Sequence, residues 1–103
     1  MRRFLGLRSD ALKLLKAYDV RYRSFSVLCH IVEQHINGVS LTVSDVIGQK
    51  SIASPAKLHS DIRHLVESGL VISEVYAGDR RIRYLVPTEK CLKMFDALEA
   101  LVI

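Results

Sequence analysis

The sequence predicts a mainly α-helical fold with a small β-hairpin, the winged helix-turn-helix. Two short helical patterns lie within about residues 42–68 and would form the helix-turn-helix. Two β-rich runs separated by a Gly-Asp turn follow over about residues 70–87, as expected for a hairpin wing. A last helical pattern fills about residues 88–102. The order helix, helix, hairpin, helix is typical of this fold.

Length and composition predict one domain over residues 1–103. A chain of 103 residues with 50% hydrophobic content can form a single compact core, and no linker interrupts it. The net charge of +4 favours a polyanionic partner, and the cations concentrate in residues 1–23 and 80–83. No apolar run reaches the length of a membrane span or of a signal-peptide core, so we expect a cytoplasmic protein without a membrane partner.

Two helices are predicted before residue 40. The first would run from Ser9, as its N-cap, to about Tyr18, and residues 1–6 are expected to lack regular structure. The second begins near Ser24 and stops at Asn37-Gly38, a typical C-terminal signal. Apolar residues at helical spacing indicate that the second helix is largely buried, and they are Val27, Leu28, Ile31, Val32 and Ile36.

Two capping signals predict the helix-turn-helix. Thr42 followed by Asp45 resembles a capping box, which would open a short helix ending at about Lys50. Residues 49–53 would form the turn. Ser54-Pro55 then combines an N-cap with a proline at the first helical position. The apolar face of this second helix is predicted to contain Leu58, Ile62, Leu65 and Val66.

The hairpin and the last helix follow directly. Residues 70–76 and 81–86 have strand character, and residues 77–80 between them would place cations at the tip. Pro87-Thr88-Glu89 ends the second strand and caps the last helix. The apolar stripe of that helix is predicted to be Leu92, Phe95, Leu98 and Leu101, flanked by Met94 and Val102.

From Phe25 to Cys91 the chain resembles the multiple-antibiotic-resistance regulator (MarR) family of bacterial winged-helix repressors. Residues 65–71, Leu-Val-Glu-Ser-Gly-Leu-Val, look like the end of the family's recognition helix. The family wing carries Asp-x-Arg, an apolar strand and Leu-Thr-x-x-Gly, and residues 79–91 are similar, with Pro87 for the leucine and Cys91 for the glycine. The resemblance implies a regulator of transcription that binds double-stranded DNA at specific sequences.

Helical periodicity selects candidate DNA contacts on the recognition helix. With its apolar face on the core, the residues that would point outward are Ala56, Lys57, Ser60, Arg63 and His64. The N-terminal part of such a helix usually approaches the base edges, so the better candidates for base or phosphate contact are Ser54, Lys57, His59 and Ser60, rather than Arg63 or His64. Lys57 could donate to guanine, Ser60 could bond to several bases, and Ala56 could contact a thymine methyl group. For each residue the alternative is a solvated helix face.

Arginines make the wing a second candidate contact. Arg80 and Arg81 flank the turn, where a cation can reach the minor groove or the DNA backbone. By the resemblance, Arg81 is the one expected to insert, and Asp79 would orient it through a charge-assisted hydrogen bond. The alternative is an Asp-Arg pair that only pins the turn. Arg83 would share a strand face with Arg81 and either pair with Glu74 or bind phosphate.

No enzyme activity, metal site or cofactor is expected. His30 and His35 are five residues apart, as are His59 and His64, so neither pair shares a helix face as zinc ligands at i, i+4 would. The chain contains no Gly-rich phosphate loop, nucleophile elbow or paired-carboxylate motif.

The cysteines indicate a reducing compartment. Cys29 and Cys91 lie far apart in sequence and form no close pair, so a disulfide framework is not expected. The dipole of the last helix could lower the thiol pKa of Cys91 and create a redox switch. The favoured interpretation is that Cys91 is a small, partly buried residue that replaces the family glycine.

Apolar stripes on the first and last helices predict a homodimer, which would bind a pseudo-palindromic site. The alternative is that these stripes, with residues 101–103, close the core of a monomer. Only about one helix fits after Thr88, whereas the family usually has two, so a small-molecule effector is not expected. A hypothesis from another class is a winged-helix protein-interaction module whose basic face binds no specific DNA.

Overall fold

The computed structural model describes residues 1–49 and 52–102 of the chain. In chain order their elements are α1 (Arg2–Ala17), α2 (Tyr22–Ile36), β1 (Leu41–Thr42), α3 (Val43–Ile47), α4 (Pro55–Glu67), β2 (Val71–Tyr76), β3 (Asp79–Pro87) and α5 (Glu89–Ala100). Within the described residues α3 ends at Ile47, and the end predicted at about Lys50 lies outside them, as do Ser51 of the predicted turn and Ile103. Helices α3 and α4 form the helix-turn-helix, and β2 and β3 form the wing.

The strands form one antiparallel sheet in the order β1-β3-β2. The predicted hairpin is confirmed, with Val71 opposite Pro87 and Val75 opposite Arg83 before the register shifts at Tyr76. Sequence patterns do not predict β1, because two residues are too few to show the alternation of a strand. Its pairing of Leu41 with Leu85 ties the segment before α3 to the base of the wing.

The core lies where α2, α4, β3 and α5 meet. Leu28, Leu58, Leu65, Leu85 and Met94 are completely or almost completely buried there. Removing a side chain of this size from water stabilises the fold by about 1.5–3 kcal/mol. These residues fix the inner face of α4, and the orientation of its outer face follows from them.

Three helix starts and one helix stop agree with the predicted capping signals. Thr42 and Asp45 form both hydrogen bonds of the capping box, at 3.0 Å and 2.9 Å. Ser54 caps α4 by accepting a hydrogen bond from the Lys57 amide, and Thr88 caps α5. The stop after α2 is also confirmed, since Gly38 has φ +79°, a conformation that glycine adopts without steric cost.

The first helix is longer than predicted. Helix α1 begins at Arg2, so Ser9 lies in its interior and residues 2–6 are helical. Gly6 costs a helix only about 1 kcal/mol, so the helix can continue through it, and α1 also contacts α5. Phe4 nevertheless remains 65% exposed. None of the helices in the described ranges is both long and apolar enough to cross a membrane.

Three predicted apolar faces are rotated or shortened. In α5 the fully buried residues are Cys91 and Met94, while the predicted stripe members Leu92 and Leu101 are exposed. Val66 of α4 is 39% exposed, and Ile36 at the end of α2 is largely exposed. Each exposed residue lies at the edge or end of its stripe. Periodicity locates the centre of a face, whereas the neighbouring elements determine its width.

Candidate nucleic-acid interface

The outer face of α4 presents polar and basic side chains to solvent. The exposed residues on or beside it are Ser54, Ala56, Lys57, His59, Ser60 and Arg63. Ala56, Ser60 and Arg63 are spaced four and three residues apart and therefore share one stripe, whereas Lys57 lies toward α2. Buried Leu58, Ile62 and Leu65 hold the opposite face in the core. The predicted separation of inner and outer faces is correct for these residues.

His64 departs from that pattern. Periodicity predicts that it points outward, but it is only 9% exposed, and its Nε2 lies 2.8 Å from the carbonyl oxygen of Asp19. Because a carbonyl can only accept, Nε2 carries the proton in this hydrogen bond. Ser68 donates to the same oxygen at 3.0 Å. Asp19 lies in the short connection between α1 and α2 and has φ +58°. The hydrogen bonds from His64 and Ser68, at the end of α4, therefore stabilise this tight connection. His64 is thus a structural residue.

The wing tip is organised by Asp79 and Arg81. Asp79 accepts hydrogen bonds from Nε and Nη2 of Arg81, at 3.1 Å and 3.0 Å, and from the Arg81 amide at 3.0 Å. The predicted charge-assisted bond is therefore present. The side-chain and backbone bonds from Arg81 lower the pKa of Asp79, and the carboxylate raises the pKa of Arg81. The Arg81 side chain remains 90% exposed, which leaves its other N–H groups available to a ligand.

Arg83 does not pair with Glu74. Arg83 lies opposite Val75, whereas Glu74 lies opposite Tyr84. Successive residues of a strand point to opposite faces, so the two charged side chains are on different sides of the wing. Phosphate binding is the remaining predicted role for Arg83.

Arginines of the wing also border the helix-turn-helix. A groove of about 400 Å³ separates the start of α3 from strand β3 of the wing, and it is lined by Thr42, Val43, Ser44, Arg81, Ile82, Arg83 and Tyr84. At the tip, Gly78 is packed by the Tyr76 ring, since a Cβ there would lie 2.7 Å from a ring carbon. Arg80 is exposed beside this turn. The wing therefore presents cations at its tip and along the side facing α3.

Two further cations, which no sequence motif selects, lie beside α4. Arg21 and Arg23, at the start of α2, share a surface cavity with Lys57, Ser60 and Asp61. They belong to the basic N-terminal region, but no motif connects them to the helix-turn-helix. Only the packing of α2 on α4 brings these distant segments together.

Cys91 does not have the lowered pKa that its helix position suggests. Burial raises the pKa of its thiol to about 11, and the nearby Cys29 adds a smaller upward contribution. Burial and then the charge of Glu33 also raise the pKa of Cys29. Desolvation outweighs the helix dipole here, so both free cysteines are mainly protonated at neutral pH. In the described part of the chain, no three His, Cys, Asp or Glu residues are grouped as a metal ion would require.

Comparison with known proteins identifies the fold through structure. No family model matches the chain, and no curated protein matches its sequence. The solved structure of a Staphylococcus aureus MepR-DNA complex superposes with a TM-score of 0.76 at 18% identity, covering 94% of this chain and 76% of that one.

Two other structures show the same arrangement. Bacillus subtilis YusO superposes with a TM-score of 0.70 at 19% identity, covering 95% of this chain and 66% of its own. Reduced AbfR bound to DNA gives a TM-score of 0.68 at 22% identity, with 98% and 68% covered. The chain therefore shares the winged helix-turn-helix fold of these three proteins, the fold that its sequence motifs predicted.

Proposed function

We propose that the protein is a sequence-specific, double-stranded DNA-binding regulator of transcription. The observation that carries this proposal is the outer face of α4, which is solvent-exposed, polar and basic, and is accompanied by the arginines of the wing. The fold is shared with MepR and AbfR, both of which have been solved with DNA. We infer a non-enzymatic role in the bacterial cytoplasm.

Each part of the interface has a distinct role in this proposal. Helix α4 enters the major groove, where Lys57 and Ser60 donate to base edges and the Ala56 amide at its start binds a phosphate. The wing lies beside it, and Arg81 reaches the minor groove or the backbone while Asp79 restricts its orientation. Base contacts would supply specificity, and phosphate contacts would supply most of the salt-dependent affinity.

We further infer that the protein binds as a homodimer through α1 and α5. The first turns of α1 and the end of α5 border a cleft of about 660 Å³. Phe4, Leu5 and Val102 at this end are exposed apolar side chains, which a second copy would cover. Two-fold symmetry then requires half-sites about one helical turn, roughly 10 base pairs, apart.

Selection from a random duplex pool tests specificity and symmetry together. The purified chain is incubated with the pool at near-physiological salt, and the bound fraction is sequenced. Enrichment of an inverted repeat with the expected spacing supports a sequence-specific dimer. A single enriched half-site supports a monomer, and no enrichment contradicts sequence-specific binding.

The same exposed apolar end favours a second candidate function, a protein-interaction module. The dependence of binding affinity on salt concentration distinguishes DNA binding from protein interaction. Binding through phosphates weakens steeply as salt rises, with log K falling by about 0.9 per phosphate contact for each unit of log salt concentration. An apolar protein interface changes little under the same conditions.

A further inference from the structure

The start of α2 forms a basic cluster with one side of α4. A surface cavity of about 100 Å³ is lined by Arg21, Arg23, Lys57, Ser60 and Asp61. A water molecule occupies about 30 Å³ in the liquid, so the cavity has room for a group of a few heavy atoms. Three cations and one carboxylate surround it, which gives the cavity a net positive charge.

A partly buried hydrogen bond holds the two helices in this arrangement. Ser24 is completely buried, and its hydroxyl donates to Oδ1 of Asp61 at 2.9 Å. The bond joins the first turn of α2 to the middle of α4. It also gives one Asp61 oxygen a partner within the protein. The cluster is therefore positioned by an interior contact, although its cations reach the surface.

The backbone of Arg21 is fixed while its side chain is exposed. Its carbonyl accepts hydrogen bonds from the Ser24 and Phe25 amides, at 2.9 Å and 3.2 Å, and so begins α2. In residues 1–49 and 52–102, neither Arg21 nor Arg23 forms an ion pair. The first turn of α2 contains no acidic residue, so the helix dipole adds to the positive field of the side chains.

We propose that Arg21 and Arg23, beside Lys57 and Ser60, form a binding site for a DNA backbone phosphate at the flank of α4. This inference rests on the proposed function, because it requires α4 to enter the major groove. The two strands of the duplex border that groove, so side chains that flank an inserted helix meet phosphates. The planar guanidinium groups of Arg21 and Arg23 match the geometry of phosphate oxygens.

Salt-dependent binding of the full chain tests this site. Affinity is measured by fluorescence anisotropy between about 50 and 200 mM salt for two duplexes, one enriched from the random pool and one scrambled sequence of equal length. For Arg21→Ala/Arg23→Ala we expect weaker binding to both duplexes by a similar factor. The slope of log K against log salt should decrease in magnitude by about 1 per bound protomer, as the loss of one phosphate contact requires.

Two control variants distinguish a local phosphate contact from a general loss of positive charge. Lys13→Ala/Lys93→Ala deletes two exposed cations from α1 and α5 and should leave the slope nearly unchanged. Arg21→Lys/Arg23→Lys keeps both charges and should restore most of the slope. Thermal unfolding of every variant should nearly match that of the parent chain, since Arg21 makes no side-chain cap hydrogen bond and the ion pair of Lys93 with Glu89 is exposed to solvent.

The possible outcomes distinguish failure of the phosphate site from failure of the proposed function. If the parent chain binds both duplexes and the double-alanine variant keeps its slope, the phosphate site is wrong while the proposed function stands. Loss of affinity for the enriched duplex alone would identify base contacts and also overturn the site. If the parent chain binds neither duplex, the proposed function itself fails, and the phosphate site fails with it.

Discussion

Helix α4 and the wing carry most of the candidate DNA contacts, but different forces hold them in place. Helix α4 has a buried face, with Leu58 and Leu65 completely inaccessible to water. The wing tip lies outside the core, and the Asp79-Arg81 pair that organises it is exposed to solvent. The contacts of α4 therefore depend on the global fold, whereas those of the wing can be removed without unfolding the protein.

Among the variants that test this comparison, Leu58→Ala should have the largest effect, a loss of folding stability. The loss of a completely buried side chain leaves a cavity, and we expect the free energy of unfolding to fall by about 2–5 kcal/mol. Urea denaturation followed by circular dichroism measures this change. Val66→Ala is the control on the same helix. Because Val66 is partly exposed, this substitution should lower the free energy of unfolding much less. Equal losses of unfolding free energy in the two variants would show that α4 is not anchored through one face.

Arg81→Ala should weaken DNA binding without changing the unfolding midpoint. A lost contact of this kind costs about 1–3 kcal/mol of binding free energy, measured by anisotropy on an enriched duplex. Arg80→Ala removes the neighbouring cation, which lacks the contact with Asp79, and should have a smaller effect. If the two variants bind alike, orientation by Asp79 has no role in recognition and only the local charge matters.

His64 and Arg63 are adjacent residues for which we expect opposite effects. His64→Ala removes a hydrogen bond to the Asp19 carbonyl and should lower the free energy of unfolding by about 1–2 kcal/mol. DNA affinity, measured where the variant is fully folded, should change little. Arg63→Ala should leave stability unchanged and weaken DNA binding slightly. Reversed results would place His64, rather than Arg63, at the interface.

The smallest expected effect concerns the pH dependence of the wing. Arg81 lowers the pKa of Asp79, so the pair is fully formed above the ordinary carboxyl pKa of about 3.9. It should be lost only as the pH falls through the lower pKa of the folded protein. Carboxyl carbon NMR of Asp79 measures this titration, and Arg81→Ala should move the pKa of Asp79 upward. An unchanged pKa would show that the pair does not persist in solution.

Local signals in the sequence predict the element order because their causes are local. The capping hydroxyls of Thr42, Ser54 and Thr88 act on amides three residues away, and Gly38 acts through its own φ angle. The predicted start of α1 is wrong, because the helix extends past Ser9 and Gly6 to Arg2, where no side chain caps it. A start without a capping side chain leaves no local signal in the sequence.

The candidate interface shows the same division. Helical periodicity identifies most of the outer face of α4, and the position of the arginines beside the Gly-Asp turn identifies the cations of the wing. Periodicity cannot place His64 in the interior or Arg83 away from Glu74, because the first depends on the α1–α2 connection and the second on strand register. Periodicity also cannot predict that Arg21 lies near Lys57, because their proximity depends on the packing of α2 on α4.

By itself, the sequence determined the mainly helical class, the order of the elements and the charged character of two surfaces. These features arise from side-chain periodicity and from hydrogen bonds between near neighbours. Tertiary structure alone decided how wide each buried face is, which polar residues enter the interior, and which cations gather beside α4. Those outcomes depend on contacts such as Ser24 with Asp61, between residues far apart in sequence, and such contacts form only when whole elements pack together.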